Sequence, residues 1–169
     1  MKRADLVILI VDDDLNDRAM FERAFRKNGV QGTIRSVESV AVAMAYLHGE
    51  DQYADRVKFP FPSLLITDLK MPREDGFAFL QQIKSNPQGK MIPILVMSGA
   101  VDADDVKRCY TMGASCYLEK PGNPDELCRV LKLFYDFWRE CHVPQIDTHG
   151  VQISTEHRGK LGARFGPMT

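Results

Sequence analysis

The chain reads as an α/β protein, a doubly wound parallel sheet built from five βα units. Three observations predict this. Short β-branched apolar runs alternate with amphipathic helical stretches along the chain. The first run, 6–11, is apolar throughout, as in a strand covered on both faces. Most of the runs stop at a polar residue, and ligands of open parallel sheets sit beyond those carboxyl ends.

The elements follow in order. After the first strand, a helix spans 15–27: Asp14 caps it, and Asp17 lies in the first turn, where the helix dipole favours an acid. Phe21, Ala24 and Phe25 form its inward stripe, and Asn28-Gly29 stops it. A strand at 33–37 leads to a helix at 39–48 with Val40, Met44 and Leu47 inward. Residues 49–62 are polar and then proline-punctuated, so they read as an exposed insertion. The third strand, 64–67, ends at Asp68; a loop with Pro72 and Gly76 leads to a helix at 76–85, stopped at Asn86-Pro87. The fourth strand, 92–97, ends at Ser98, a helix covers 103–112, and the fifth strand, 116–119, ends at Lys120. Asn123 caps the last helix, which runs from Pro124, at its first position, to Cys141.

The 169 residues suit one domain, 1–141, with a tail at 142–169 too short to carry a separate output domain with its own core. The net charge of -1 argues against nucleic acid or an anionic membrane as a partner held by bulk electrostatics. No stretch approaches the roughly 20 apolar residues of a spanning helix. The early apolar run is too short for a secretory signal and ends in Asp12-Asp13-Asp14, so a cytoplasmic location is expected. None of the four cysteines has C-x-x-C spacing, and reduced thiols are expected.

The strand ends carry the chemistry. Asp12, Asp13, Asp68, Ser98 and Lys120 converge on one edge of the expected sheet. Clustered carboxylates repel one another unless a cation neutralises them, and Mg²⁺ prefers a few carboxylates with phosphate oxygens and water. A carboxylate beside such an ion can attack phosphorus, and a lysine and a hydroxyl are suited to the charge of the transferred group.

The run ILIVDDD, the segment LLITDLKMPREDGFAFL, the strand ILVMSGA and Lys120-Pro121 in YLEKP resemble, in order and spacing, the signature blocks of response-regulator receiver domains. The resemblance covers residues 5–141 and implies the flavodoxin-like strand order 2-1-3-4-5. It implies Mg²⁺ held by Asp12, Asp13, Asp68 and the main-chain carbonyl of Lys70. It implies Asp68 as phosphoacceptor from a histidine kinase, Ser98 and Lys120 on the phosphoryl group, and a cis bond between Lys120 and Pro121. Tyr117 matches the aromatic that changes rotamer with Ser98 on activation. In the family, the side chain two residues after the acceptor, here Lys70, tunes dephosphorylation. The protein would be both catalyst and substrate of its phosphotransfer, and not a turnover enzyme.

The last helix carries an inward stripe, Leu127, Leu131, Phe134 and Trp138, and an adjacent second one, Val130, Leu133 and Phe137. So wide an apolar arc predicts a homodimer through the fourth and fifth helices and the strand between them; the competing expectation is that the tail folds over the second stripe. The insertion, the DLKMPREDG loop and the helix ending in Phe137-Trp138 resemble single-domain regulators that partner phytochrome histidine kinases. Other readings stay open: a shuttle passing phosphate to a histidine phosphotransfer protein, or a binding-only receiver. A phosphohydrolase of the haloacid-dehalogenase type would need a second Asp where Lys70 stands.

Overall fold

The structure, a computed structural model, describes residues 6–144, 146, 147 and 149–151. Strands β1 (Val7–Val11), β2 (Thr33–Val37), β3 (Leu64–Thr67), β4 (Ile94–Ser98) and β5 (Cys116–Glu119) form one parallel sheet in the order β2-β1-β3-β4-β5. They alternate with helices α1 (Leu15–Lys27), α2 (Val40–His48), α3 (Gly76–Ser85), α4 (Ala103–Thr111) and α5 (Pro124–Glu140). The expected class, the five units and the strand order are all present. The order reverses direction between β1 and β3, and ligands of such sheets bind at that point.

Alternate strand residues feed two cores. On one face Leu9, Val11, Leu65, Ile94 and Val96 meet Leu47, Phe79, Ile83 and Cys109 from α2, α3 and α4. On the other, Ile8, Ile10, Leu64, Ile66 and Met97 meet Phe21, Phe25, Leu127 and Leu131 from α1 and α5. Burial of each large side chain contributes about 1.5–3 kcal/mol, so the three central strands are the most firmly held part of the sheet.

Four local features depart from the sequence reading. Ser39 does not belong to α2 but caps it, accepting the amide of Val42 at 3.1 Å. The buried face of α2 is Ala43, Tyr46 and Leu47, with Val40 and Met44 partly covered. Beyond α3, Asn86-Pro87 opens a one-turn helix, Pro87–Lys90, whose cap is Asn86.

The largest departure is the insertion, which exposes residues such as Glu50, Asp51 and Val57 as expected but packs part of its second half onto the domain. It contains a 3-10 turn, Asp51–Ala54, and buries Phe61 and Arg56. The Arg56 guanidinium donates to the carbonyls of Tyr46 at 2.7 Å, Leu47 at 2.8 Å and Phe59 at 3.3 Å. The last carbonyls of a helix lack intrahelical donors, and a cation there also meets the negative end of the dipole. Tyr53 meets Tyr46 at a tilt, and Phe59 meets both edge-on, which ties the segment to the first core.

The start of the tail lies against this insertion. Ile146 packs on the first core, Val151 is buried, and a Cβ on Gly150 would meet the Phe61 ring at 2.7 Å. Gly150 thus lies against the insertion, and residues 152–169, which could cover the second stripe of α5, lie outside the described residues. No described helix is long and apolar enough to cross a membrane.

Candidate functional site

Main-chain hydrogen bonds carry the ladder one residue past the strands and align their ends. The amide of Asp12 donates to Val37 O at 3.1 Å, that of Asp68 to Val11 O at 3.1 Å, and that of Lys120 to Ser98 O at 2.8 Å. Asp12, Asp68, Ser98 and Lys120 are thereby fixed on one edge by the sheet itself. Asp14 accepts the amides of Asn16 and Asp17 at 2.7 and 3.1 Å, so it is the α1 cap, as its position predicts. Asp75 caps α3 through the amide of Phe77 and pairs with Lys70 in a two-residue hairpin, Lys70–Met71 with Glu74–Asp75.

Asp12, Asp13 and Asp68 each bring one carboxylate oxygen within 4.8 Å of the others. Asp12 is 2% exposed and Asp68 9%, whereas Asp13 faces solvent. The Lys120 ammonium lies among them, 2.8 Å from Asp12 Oδ2 and 3.2 Å from Asp68 Oδ2. Burial raises the pKa of Asp12, against the hydrogen bonds from Lys120 and the Asp14 amide. Burial lowers that of Lys120, but hydrogen bonds to Asp12 and Asp17 outweigh it and hold the ammonium above its ordinary value. The lysine is thus charged at any physiological pH.

Ser98 is completely buried, and its hydroxyl has no hydrogen-bond partner of good geometry among the described residues. It adjoins the Tyr117 phenol, whose pKa is raised by burial and drawn back by that hydroxyl. Tyr117 itself is buried and donates its O–H to Ala100 O at 2.8 Å. The Lys70 amide donates to Asp68 Oδ1 at 3.1 Å, while its ammonium turns away to Asp105 of α4 at 3.6 Å. Behind the acceptor, a Cβ on Gly76 would meet Leu69 Cα at 2.6 Å. The loop carrying Asp68 packs directly on the start of α3, which only glycine allows there.

Two residues of the site were not singled out from the sequence. Arg18 donates from one guanidinium nitrogen to the carbonyls of Asp12 at 2.6 Å and Asp13 at 3.1 Å, bracing the main chain beneath both acids. Asp17, expected only to complement the helix dipole, accepts from Lys120 at 2.7 Å. Helical spacing carried a faint signal, since Asp14, Asp17 and Arg18 share one turn that begins at the site.

The expected cis bond between Lys120 and Pro121 is corrected: no described peptide bond is cis. The trans form is the lower in energy for an X-Pro bond by about 0.5–1 kcal/mol. Lys120 reaches all its carboxylates from it, so the ion pairs do not demand the rarer isomer.

The second stripe of α5 lies open. Leu133 and Phe137 are 58% and 62% exposed and Val130 is half-buried. With Cys116, Leu118 and Trp138 they line an apolar groove of about 390 Å³. The four cysteines are unpaired, and burial pushes the Cys109 and Cys116 thiols up to about 11.

A set of oxygen donors with net negative charge suits a hard divalent cation, not a soft one. A lysine and a buried, unpartnered hydroxyl beside it suit an oxyanion. A doubly wound fold with this edge defines a phosphoryl-accepting class of signalling module, and comparison with known proteins agrees. Residues 8–132 match the response regulator receiver domain, and the chain belongs to that family, the receiver domain of two-component response regulators. Response regulator Rcp1 of Synechocystis is 31% identical over 134 residues, 79% of this chain and 89% of Rcp1. The phosphorylated cyanobacterial phytochrome response regulator RcpA superposes with a TM-score of 0.76 at 31% identity, covering 84% of this chain and 100% of that one. The Mn²⁺-bound form of Rcp1 gives 0.73 at 30% identity, with 83% and 99% covered. The chain is a receiver resembling phytochrome-associated regulators.

Proposed function

We propose that Asp68 accepts a phosphoryl group from the phosphohistidine of a histidine kinase. The observation that carries this is the Lys120 ammonium held between Asp12 and Asp68 at the mouth of the acidic cluster. A carboxylate oxygen of Asp68 attacks phosphorus, the P–N bond breaks, and the imidazole leaves with its electron pair and takes up a proton. Lys120 offers N–H donors to the incoming phosphoryl oxygens, and the Ser98 hydroxyl gains there the acceptor it lacks. Asp12, Asp13, Asp68 and the Lys70 carbonyl would hold Mg²⁺, which neutralises phosphoryl charge when bound. Hydrolysis of the acyl phosphate returns the Asp68 carboxylate and releases inorganic phosphate. The protein is a self-resetting switch and not a turnover enzyme.

Movement of Ser98 towards the phosphoryl group would vacate the space beside Tyr117 and shift the balance between two conformations of that region. The exposed Leu133 and Phe137, with half-buried Val130 beside them, support a homodimer through α4, β5 and α5 as the output. Likeness to RcpA and Rcp1 supports a phytochrome-type kinase as donor, and such a pairing goes with a cytoplasmic location.

Incubation with acetyl phosphate and Mg²⁺, followed by intact mass, tests the chemistry. A single phosphate adduct is expected on the wild type, and none on Asp68→Ala or without Mg²⁺. An adduct that persists on Asp68→Ala sinks the assignment. Light scattering of the same samples tests the dimer: Phe137→Glu should remain a monomer where the wild type pairs. Back-transfer of labelled phosphate onto a histidine phosphotransfer protein would instead mark a shuttle.

A further inference from the structure

We propose that Asp17 is the positioning residue that keeps Lys120 in the site while a cation and a phosphoryl group occupy it. This rests on Asp68 being the phosphoacceptor. An ammonium has three N–H donors, and Lys120 places all of them on carboxylates: Asp12 at 2.8 Å, Asp17 at 2.7 Å and Asp68 at 3.2 Å. Those three partners are not equivalent.

Asp12 and Asp68 belong to the group of carboxylates that can converge on a metal ion, and Asp17 does not. A divalent cation drawn to Asp12 and Asp68 competes with the ammonium for the same oxygens and repels it. Phosphorylation then turns the Asp68 carboxylate into an acyl phosphate and moves the negative charge from the oxygen that Lys120 held to the phosphoryl oxygens. Two of the three anchors are therefore weakened during the reaction. The contact to Asp17 is contested by neither event.

The geometry suits an anchor. Asp14 starts α1, so Asp17 sits in the first helical turn, fixed in backbone and favoured as an anion by the dipole. Its side chain is 27% exposed and that of Lys120 12%, so the pair lies at the rim and partly shielded from water. Held from that side, Lys120 keeps two donors to turn from Asp12 and Asp68 onto phosphoryl oxygens. The Asp17 carboxylate is given to Lys120 among the described residues, so Asp17 fixes where the cation stands without belonging to the acids that can meet a metal.

The test is the rate of acetyl phosphate labelling at saturating Mg²⁺, read by intact mass for wild type, Asp17→Asn and Asp17→Ala. Asp17→Ala should label roughly tenfold more slowly, with Asp17→Asn, which keeps an acceptor but loses the charge, between the two. The ¹⁵N-edited signal of the Lys120 ammonium with Mg²⁺ bound should be sharp in the wild type and broadened or lost in Asp17→Ala. In a Lys120→Met background, Asp17→Ala should slow residual labelling no further, because its effect passes through the lysine. Equal rates in wild type and Asp17→Ala overturn the proposal, as does an undiminished effect in Lys120→Met. A wild type that takes no phosphate on Asp68 overturns the underlying function instead, so the two failures are separable.

Discussion

The phenolic O–H of Tyr117 donates to the main-chain carbonyl of Ala100 at 2.8 Å, tying β5 to the loop that follows Ser98. Ala100 is exposed, so its carbonyl can turn to water when the phenol is removed. Tyr117→Phe should therefore cost only about 0.5–1.5 kcal/mol in urea unfolding. Tyr117→Ala, which empties a packed ring site, should cost about 3–5 kcal/mol. Equal losses would show that the hydroxyl, not the ring, does the holding.

Arg56 serves three carbonyls from a buried position, so its replacement strands acceptors at the end of α2. Arg56→Met, similar in length and without charge, should lower stability by about 2–4 kcal/mol. Phosphate labelling of the folded fraction should persist, since the insertion is remote from Asp68. An Arg56→Met midpoint within experimental error of the wild type would mean that the segment is held by its aromatic residues alone.

Lys120 neutralises only part of the like charge of Asp12, Asp13 and Asp68, and a divalent cation would offset the rest. Mg²⁺ at a hundredfold excess over its dissociation constant should stabilise the wild type by about 2.7 kcal/mol. Asp13→Asn should melt higher than wild type in a chelating buffer and gain much less from added Mg²⁺. Thermal scans with and without the ion check both directions, and equal gains in the two proteins would remove Asp13 from the cation site.

Burial lowers the Lys84 pKa to about 8, although its ammonium donates to the carbonyls of Gly89, Lys90 and Ile92. The folded value lies below the unfolded one, so between them the unfolded chain binds the extra proton. Stability contributed by this group therefore rises with pH across that window, and the cost of burying the cation is fully present below it. Relative to Lys84→Met, the wild type should gain about 1–3 kcal/mol between pH 8 and pH 10.5. Urea unfolding across the range would show it, and a constant difference would mean that Lys84 titrates normally.

Much of this was legible in the sequence for physical reasons. Short runs such as Leu64-Leu65-Ile66, bounded by turn signals, fit strands covered on both faces, and the polar residues that stop them mark the functional edge. Asp12, Asp13, Asp68, Ser98 and Lys120 were found because chain order alone brings strand ends together. Asp17 and Arg18 were not, because their partners depend on how α1 docks against the sheet. The buried part of the insertion was missed because its prolines and charges resemble a solvated loop, while the burial of Arg56 is made tolerable by main-chain carbonyls that composition does not display. The isomer at Lys120–Pro121 leaves no trace in residue type.

The strands β1, β3 and β4 are apolar on both sides, and this has a consequence for register. In a sheet with one wet face, a slip of one residue turns apolar side chains outward and is heavily penalised. Here a slip would exchange one apolar face for another, and hydrophobicity alone would scarcely resist it. What resists it is the polar stop. Sliding β1 or β3 inward would drag Asp12 or Asp68 into hydrocarbon without partners, at a cost of several kcal/mol. The acids that handle phosphate are also the marks that tell each strand where to halt, so replacing them with apolar residues would loosen the alignment of the sheet as well as silence the switch.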